Sequence, residues 1–277
     1  MIEVLRVSIQ GYTQRVLYKE LQLARRAVRE DLEREEVLVV VDRVVEELLA
    51  RGGVEKPPVD AIVLARKHLG MQVCLDRAQP QRGRAQRSGG RRQIFLRPEP
   101  TVERHQWTVA HEIGEHFKTP LLARLGVEPT ETRAMAGESL ANLFAYHLLV
   151  PSHWFAADAP ASGYDVLALK EKYQTASHEV IAWRFLDLPA PCIVTIVDNE
   201  AIHRRRSNAW RAGRKLAPAE QRCQHYVNHY SRPRTVQEDG WTVHGWPVHQ
   251  ADWKREILRS VIDDPELVDW SARDDGE

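Results

Sequence analysis

The segment WTVAHEIGEHF, residues 107–117, carries the most specific pattern in this sequence. Apolar residues lead into His111 and Glu112, and Glu115 and His116 follow within the same helical pattern. A zinc hydrolase of the zincin kind needs two metal-binding side chains on one helix face, with a carboxylate beside them. The metal lowers the pKa of its bound water to about 7, and the carboxylate takes the proton as the water attacks a carbonyl. The segment therefore predicts a zinc-binding helix.

The second ligand on this helix has two candidates, because the segment departs from the usual HExxH spacing. Glu115 lies four residues after His111, about 40° round a regular helix, and zinc accepts carboxylate oxygen. His116 lies five residues after His111, about 140° round, and shares a metal with it only if a π-bulge absorbs the extra residue. The HExxxH motif of the dipeptidyl peptidase III family has this spacing. We expect His116 to be the ligand, with Glu115 as the alternative.

A third protein ligand is expected from the following helix, ESLANLFAYHLLVP, at residues 138–151. Glu138 stands near the start of this helix, and small Ala141 belongs to its apolar stripe. A small residue lets two helices approach closely, so that Glu138 reaches across to the metal of the first helix. Three protein ligands leave the fourth zinc position to water, as a catalytic site requires.

The order of these motifs resembles the ImmA/IrrE family of metallopeptidases. The family pattern has an arginine before the zinc helix, then AHE-x-G-H, then E-x-x-AN-x-FA-x-x-LLMP. This chain has Arg104, then AHEIGEH, then ESLANLFAYHLLVP, and the matching stretch covers residues 45–190. Arg104 is a candidate for orienting a substrate carbonyl or carboxylate, with a structural ion pair as the alternative.

The resemblance also implies roles for the site residues. It makes Glu112 the general base, and His111 and Glu138 zinc ligands. The second histidine of the family falls on Glu115 when the two sequences are aligned without a gap. The implied substrate is a protein, since family members of known role cleave helix-turn-helix repressors.

The whole chain is predicted to be α+β and to have three parts. Residues 1–55 are predicted as an N-terminal helical extension, and residues 56–189 as a zincin-like metallopeptidase domain. That domain is expected to be mainly helical, with a small β-sheet and a helix-turn-helix-like pair at its end. Residues 190–277 are predicted as a small α+β C-terminal region.

Three local predictions belong to this outline. Residues 81–92, QRGRAQRSGGRR, are predicted as a mobile basic loop because arginine and glycine dominate them. Residues 165–188 are predicted as two short helices around a turn, with Ser177 as the N-cap of the second. Residues 240–262 are predicted as a strand, a turn and a closing helix.

Composition excludes several classes of protein. The chain has 277 residues, and 39 basic against 39 acidic side chains leave a formal charge of zero, so there is no global attraction for nucleic acid. The three cysteines, Cys74, Cys192 and Cys223, are widely spaced and form no CxxC motif, which excludes a disulfide scaffold or a cysteine zinc site. No apolar run reaches the length of a membrane span, and the N-terminus lacks a signal-peptide pattern. These features predict a soluble cytoplasmic protein without a membrane partner.

Direct DNA binding is a weaker prediction. The second helix of the predicted pair carries only Arg184 as a fixed cation, whereas a groove-reading helix presents several polar or basic groups. A second basic run, residues 203–215, contains six cations and Trp210, and an edge strand with a charged outer face explains it equally well.

Two hypotheses of function follow. The first is a Zn2+-dependent endopeptidase that cleaves a protein such as a helix-turn-helix repressor, with Glu112 as the base. The alternative is a non-catalytic regulatory or DNA-binding module on the same scaffold.

Overall fold

The computed structural model describes residues 34–128, 134–210, 212–250 and 252–264, with the backbone alone for Arg34 and residues 134–138. The part of the predicted N-terminal extension before Arg34 lies outside the described residues. The described chain folds into two compact units, with the boundary between Ile181 and Ala182.

The first unit is mainly helical. Its helices are α1 (Arg34–Arg51), α2 (Ala61–Val63, continued by a π-helical turn at Leu64–His68), α3 (Val102–Arg124), α4 (Ala134–Leu149), α5 (Ser152–Ala161), α6 (Val166–Lys172) and α7 (His178–Arg184). Its strands are β1 (Gln72–Leu75), β2 (Gly83–Ser88) and β3 (Arg91–Leu96). The last residues of α7 already belong to the second unit.

Helices α3 and α4 pack closely because small residues meet where they cross. A Cβ placed on Gly114 would lie 3.0 Å from Ala141 Cα, 3.1 Å from Ala141 O and 3.2 Å from Phe144 Cβ. Contacts this short leave room for glycine alone, so the backbones approach directly. The close approach expected from Ala141 is confirmed.

Strands β1, β3 and β2 form a small sheet in that order, with β1 parallel and β2 antiparallel to β3. The prediction of a mobile loop at residues 81–92 is wrong, because β2 and β3 form a hairpin there. Gly89 and Gly90 have φ values of 55° and 77°, which a two-residue hairpin turn requires. β2 is an edge strand, so its arginines extend into solvent while its backbone pairs with β3.

Helix α1 is bound to the rest of the first unit by polar contacts as well as by its apolar face. Asp42 Oδ1 lies 2.5 Å from His147 Nδ1 and accepts a hydrogen bond from Ser152 Oγ at 2.7 Å. Glu47 receives two hydrogen bonds from Arg124, at 2.9 and 2.7 Å. The buried apolar residues of α1 are Val41, Val44, Val45, Leu48 and Leu49. The described part of the predicted extension therefore belongs to the same compact unit as α3 and α4.

The helix-turn-helix-like pair is confirmed as α6 and α7. The carboxylate of Asp165 caps α6 by accepting hydrogen bonds from Leu167 N and Ala168 N. The hydroxyl of Ser177 accepts a hydrogen bond from Val180 N at 3.2 Å, so the predicted N-cap is also confirmed.

The second unit is an antiparallel sheet covered on one face by a helix. Its elements are β4 (Ile193–Asp198), β5 (Ala201–Ser207), α8 (Pro218–Tyr230), β6 (Arg234–Glu238), β7 (Trp241–Pro247) and β8 (Arg255–Ile262). The strand order is β5-β4-β8-β7-β6, so β5 is an edge strand. The predicted closing helix is wrong: its sequence forms β8, whose place between β4 and β7 buries both faces. The α+β class predicted for the chain is confirmed.

Candidate metal and catalytic site

Helix α3 carries five of the predicted site residues on a regular α-helical backbone. The helix is α-helical from Val102 to Arg124, so the π-bulge expected between His111 and His116 is absent. In a regular helix these two residues lie about 140° apart. They accordingly contact different parts of the first unit.

His111 is directed toward α4. Its Nδ1 lies 3.0 Å from Asn142 Oδ1. An amide oxygen accepts but cannot donate, so Nδ1 is the donor, and in the neutral imidazole the lone pair is then on Nε2. A metal-binding histidine has this arrangement, in which an oxygen on the far side of the ring fixes the tautomer. Asn142 was not among the residues predicted from the sequence, although it is the asparagine of the AN pair in the family pattern.

His116 is directed toward the sheet. Its Nε2 lies 3.1 Å from Gln93 O, and the ring is buried. Burial lowers the pKa of His116, and the charges of Arg92 and Arg87 lower it further, against an opposing effect of the hydrogen bond to Gln93. This imidazole is therefore neutral at neutral pH.

Glu112 is buried and its carboxylate lies against the edge strand β2. A Cβ placed on Gly83 would be 2.5 Å from Glu112 Oε1 and 3.0 Å from Glu112 Cγ. Gly83 has no side chain, so the carboxylate occupies the space beside the strand backbone. Gly83 was not predicted from the sequence, because nothing local to the hairpin indicates which of its glycines contacts α3.

Glu115 and Glu138 complete the predicted ligands. Glu115 is partly exposed, and its carboxylate forms an ion pair with Lys118 at 3.8 Å. Glu138 lies in the first turns of α4, and its side chain is outside the described residues. Among the side chains that the structure describes, no group of three or more His, Cys, Asp or Glu residues is arranged to hold a metal. The zinc ligand set therefore stays a prediction.

Arg104 lies at the start of α3 and forms an ion pair with Glu99, which is the structural alternative considered for it; Arg82 and Arg97, which share this carboxylate, were not predicted from the sequence. Its Nη1 is 3.4 Å from Glu99 Oε2, and Arg97 Nη2 is 3.1 Å from Glu99 Oε1. Arg82 Nε approaches the same carboxylate at 3.7 Å. Burial raises the pKa of Glu99, but the hydrogen bond from Arg97 and the neighbouring positive charges outweigh it, so the pKa is below the ordinary value.

The buried cysteines are unsuited to nucleophilic catalysis. Burial raises the pKa of Cys192 to about 11 and that of Cys223 to about 12, so both thiols are protonated at neutral pH. Both residues lie in the second unit.

Comparison with known proteins finds a family that matches part of the chain. Residues 66–185 match the Peptidase_M78 family, described as the IrrE N-terminal-like domain. The resemblance to the ImmA/IrrE family is thus confirmed over these residues.

A solved structure is similar over a longer stretch. The chain resembles a Mycobacterium tuberculosis transcriptional regulator with a TM-score of 0.57 and 16% sequence identity, over 82% of this chain and 81% of that one. At this identity the likeness concerns the fold. No curated protein matches the chain. The described helices include no apolar segment of membrane-spanning length.

Proposed function

We propose that this protein is a zinc-dependent endopeptidase with Glu112 as general base. The observation that carries the proposal is the placement of Glu112. Its buried carboxylate lies one residue along α3 from His111 and against the backbone of an edge strand. The family match supports a peptidase scaffold at the same residues.

The donors of α3 fit zinc in type. We propose His111, Glu115 and Glu138 as the residues that would hold it, with His116 as the alternative to Glu115. The regular helix favours Glu115, since four residues bring a side chain back to the same face. His116 is hydrogen bonded to Gln93 instead. When bound, zinc supplies Lewis-acid chemistry: it lowers the pKa of water and polarises a carbonyl.

The protein side chains then orient the reactants and move the proton. Asn142 Oδ1 fixes the ring of His111 through Nδ1, so that Nε2 keeps its lone pair. The carboxylate of Glu112 accepts the proton of the attacking water and delivers it to the leaving nitrogen. Burial beside Gly83 limits the positions open to this carboxylate, which keeps the base close to the bond that is cut.

Strand β2 is suited to hold a peptide substrate. It pairs with β3 on one side, and no other described strand pairs with it. An extended peptide can add to such an edge through main-chain hydrogen bonds, largely independently of its sequence. Because Gly83 of β2 contacts Glu112, a peptide on this edge would lie beside the base.

We propose a protein of the helix-turn-helix repressor type as the substrate, as the family resemblance implies. The alternative function is a non-catalytic regulatory module. The likeness to a protein named as a transcriptional regulator supports this alternative. A role for α7 in reading DNA has less support. Its residues from Val180 to Arg184 are buried, and Arg184 forms an ion pair with Asp187.

The test compares cleavage with metal content. The zinc-loaded chain is incubated with a proteome-derived peptide library, and new termini are identified by mass spectrometry. We expect Glu112→Gln to retain zinc and lose the cuts. Glu103→Gln, the same change on the same helix, is the matched control and should keep them. Cuts that persist unchanged in Glu112→Gln would exclude Glu112 as the base.

A further inference from the structure

Arg82, Arg97 and Arg104 converge on the carboxylate of Glu99, and we call these four residues the arginine cluster. The Glu99 side chain is 5% exposed, whereas the side chains of Arg82, Arg97 and Arg104 are 63%, 40% and 50% exposed. Three cations around one anion leave two net positive charges at this surface. The cluster therefore retains attraction for a second anion.

The three arginines lie just before β2, just after β3 and in the first turn of α3, and hydrogen bonds connect these segments. Arg97 N donates to Arg82 O at 2.9 Å, and Arg97 Nη1 donates to Pro80 O at 2.9 Å. Glu99 N donates to His105 Nε2 at 3.0 Å, which ties the segment before α3 to the first turn of that helix. The cluster is therefore organised before any ligand arrives, which lowers the entropic cost of binding.

The three arginines have more N–H donors than the Glu99 carboxylate can accept. A guanidinium carries five N–H groups. Arg104 donates to Glu99 through Nη1, and Nε of Arg82 lies 3.7 Å from Glu99 Oε1, which is beyond hydrogen-bond distance. Within the described ranges, neither terminal NH2 group of Arg82 has a hydrogen-bond acceptor. These donors suit a carboxylate, which accepts paired hydrogen bonds from arginine.

The cluster adjoins the proposed catalytic site along the chain. Arg82 directly precedes Gly83, the residue that contacts the Glu112 carboxylate. Consecutive Cα atoms are about 3.8 Å apart, so a peptide on the edge of β2 passes the cluster within a few residues of the bond beside Glu112.

We propose that the arginine cluster binds an acidic side chain of the substrate and so gives the enzyme a preference for Asp or Glu near the cut. This inference rests on the proposed peptidase function. Arg82 and Arg104 are the specificity-determining residues, and Glu99 is a positioning residue that holds them together.

The test uses the same peptide library with the zinc-loaded full chain. Wild type should show Asp and Glu enriched within about three residues of the cut, since a charge-assisted hydrogen bond changes the rate by roughly tenfold or more. The enrichment should fall in Arg82→Ala and Arg104→Ala and weaken in high salt. Arg232→Ala, which removes an equal charge from an exposed position of the second unit, should leave it unchanged.

The outcomes separate the two proposals. The role proposed for the arginine cluster would be wrong if the cuts depend on Glu112 but show no acidic enrichment. It would also be wrong if the enrichment survives in both arginine variants. Either result would leave the proposed peptidase function in place. The absence of any Glu112-dependent cut would overturn both. Binding of a single-stranded oligonucleotide that is lost in the arginine variants, with no acidic enrichment, would assign the cluster to nucleic acid and overturn the inference.

Discussion

Gly83→Ala tests whether the Glu112 carboxylate lies against strand β2. The added Cβ would overlap Thr108 Cγ2 and lie 2.5 Å from Glu112 Oε1, whereas uncrowded heavy atoms approach to about 3.5 Å. Thr108 has little freedom to move, because it is β-branched and its hydroxyl donates to Arg104 O at 2.8 Å. Glu112 must therefore shift by about 1 Å, which costs roughly 100-fold in rate.

The assay measures Glu112-dependent cleavage, zinc content and thermal unfolding of Gly83→Ala. We expect the rate to fall about 100-fold, zinc to remain bound, and overpacking to cost about 1–3 kcal/mol in the free energy of unfolding. Thr108→Ser removes Cγ2 but keeps the hydroxyl, so the double variant should regain stability without regaining the full rate. Wild-type activity and stability in Gly83→Ala would refute the contact between Glu112 and β2.

Three further predictions concern the same unit. Glu115→Ala should lose zinc while His116→Ala keeps it, and metal analysis of both proteins measures this. The opposite result would assign the zinc ligand to His116. Gly114→Ala should lower the unfolding free energy by about 1–3 kcal/mol, because its Cβ would meet the α4 backbone at 3.0 Å, and an unchanged melting temperature would contradict the close crossing. Glu99→Gln should melt below wild type at pH 7. Since the folded pKa of Glu99 is below 4.5, its stabilisation is present above that pH and is lost as pH falls through the folded value. The difference in melting temperature should therefore shrink in acid, and a constant difference would exclude the ionised carboxylate as its cause.

Local sequence pattern was enough to predict the two helices that carry the candidate site residues. The small residues Gly114 and Ala141 stand in helices whose apolar stripes are clear, and such stripes determine which faces pack. The turn at Ser177 was equally predictable, because capping is a local interaction.

The two errors in strands have a common physical cause. The sequence of β2 predicts a loop because its composition is basic and rich in glycine, yet an edge strand needs only a pairing partner and tolerates charge on its outer side. The sequence of β8 predicts a helix because a strand buried on both faces lacks the alternation of an amphipathic strand. Strand pairing, which composition and periodicity do not report, decides both cases.

The π-bulge was predicted on the assumption that both histidines of α3 bind metal. The helix is regular instead. The buried ring of His116 forms a hydrogen bond with Gln93 O on β3, so its polar nitrogen has a partner without distortion of the helix. That partner lies 23 residues away in sequence, so helical periodicity gave no sign of it.

The proposed zinc enzyme is tested most directly by the zinc content of the purified protein, measured after dialysis by elemental mass spectrometry. We predict about one zinc per chain in the wild type and its loss in Glu138→Ala, since three protein ligands hold a catalytic zinc. A wild-type chain that stays free of zinc after exposure to the metal, while folded, would contradict the proposed enzyme.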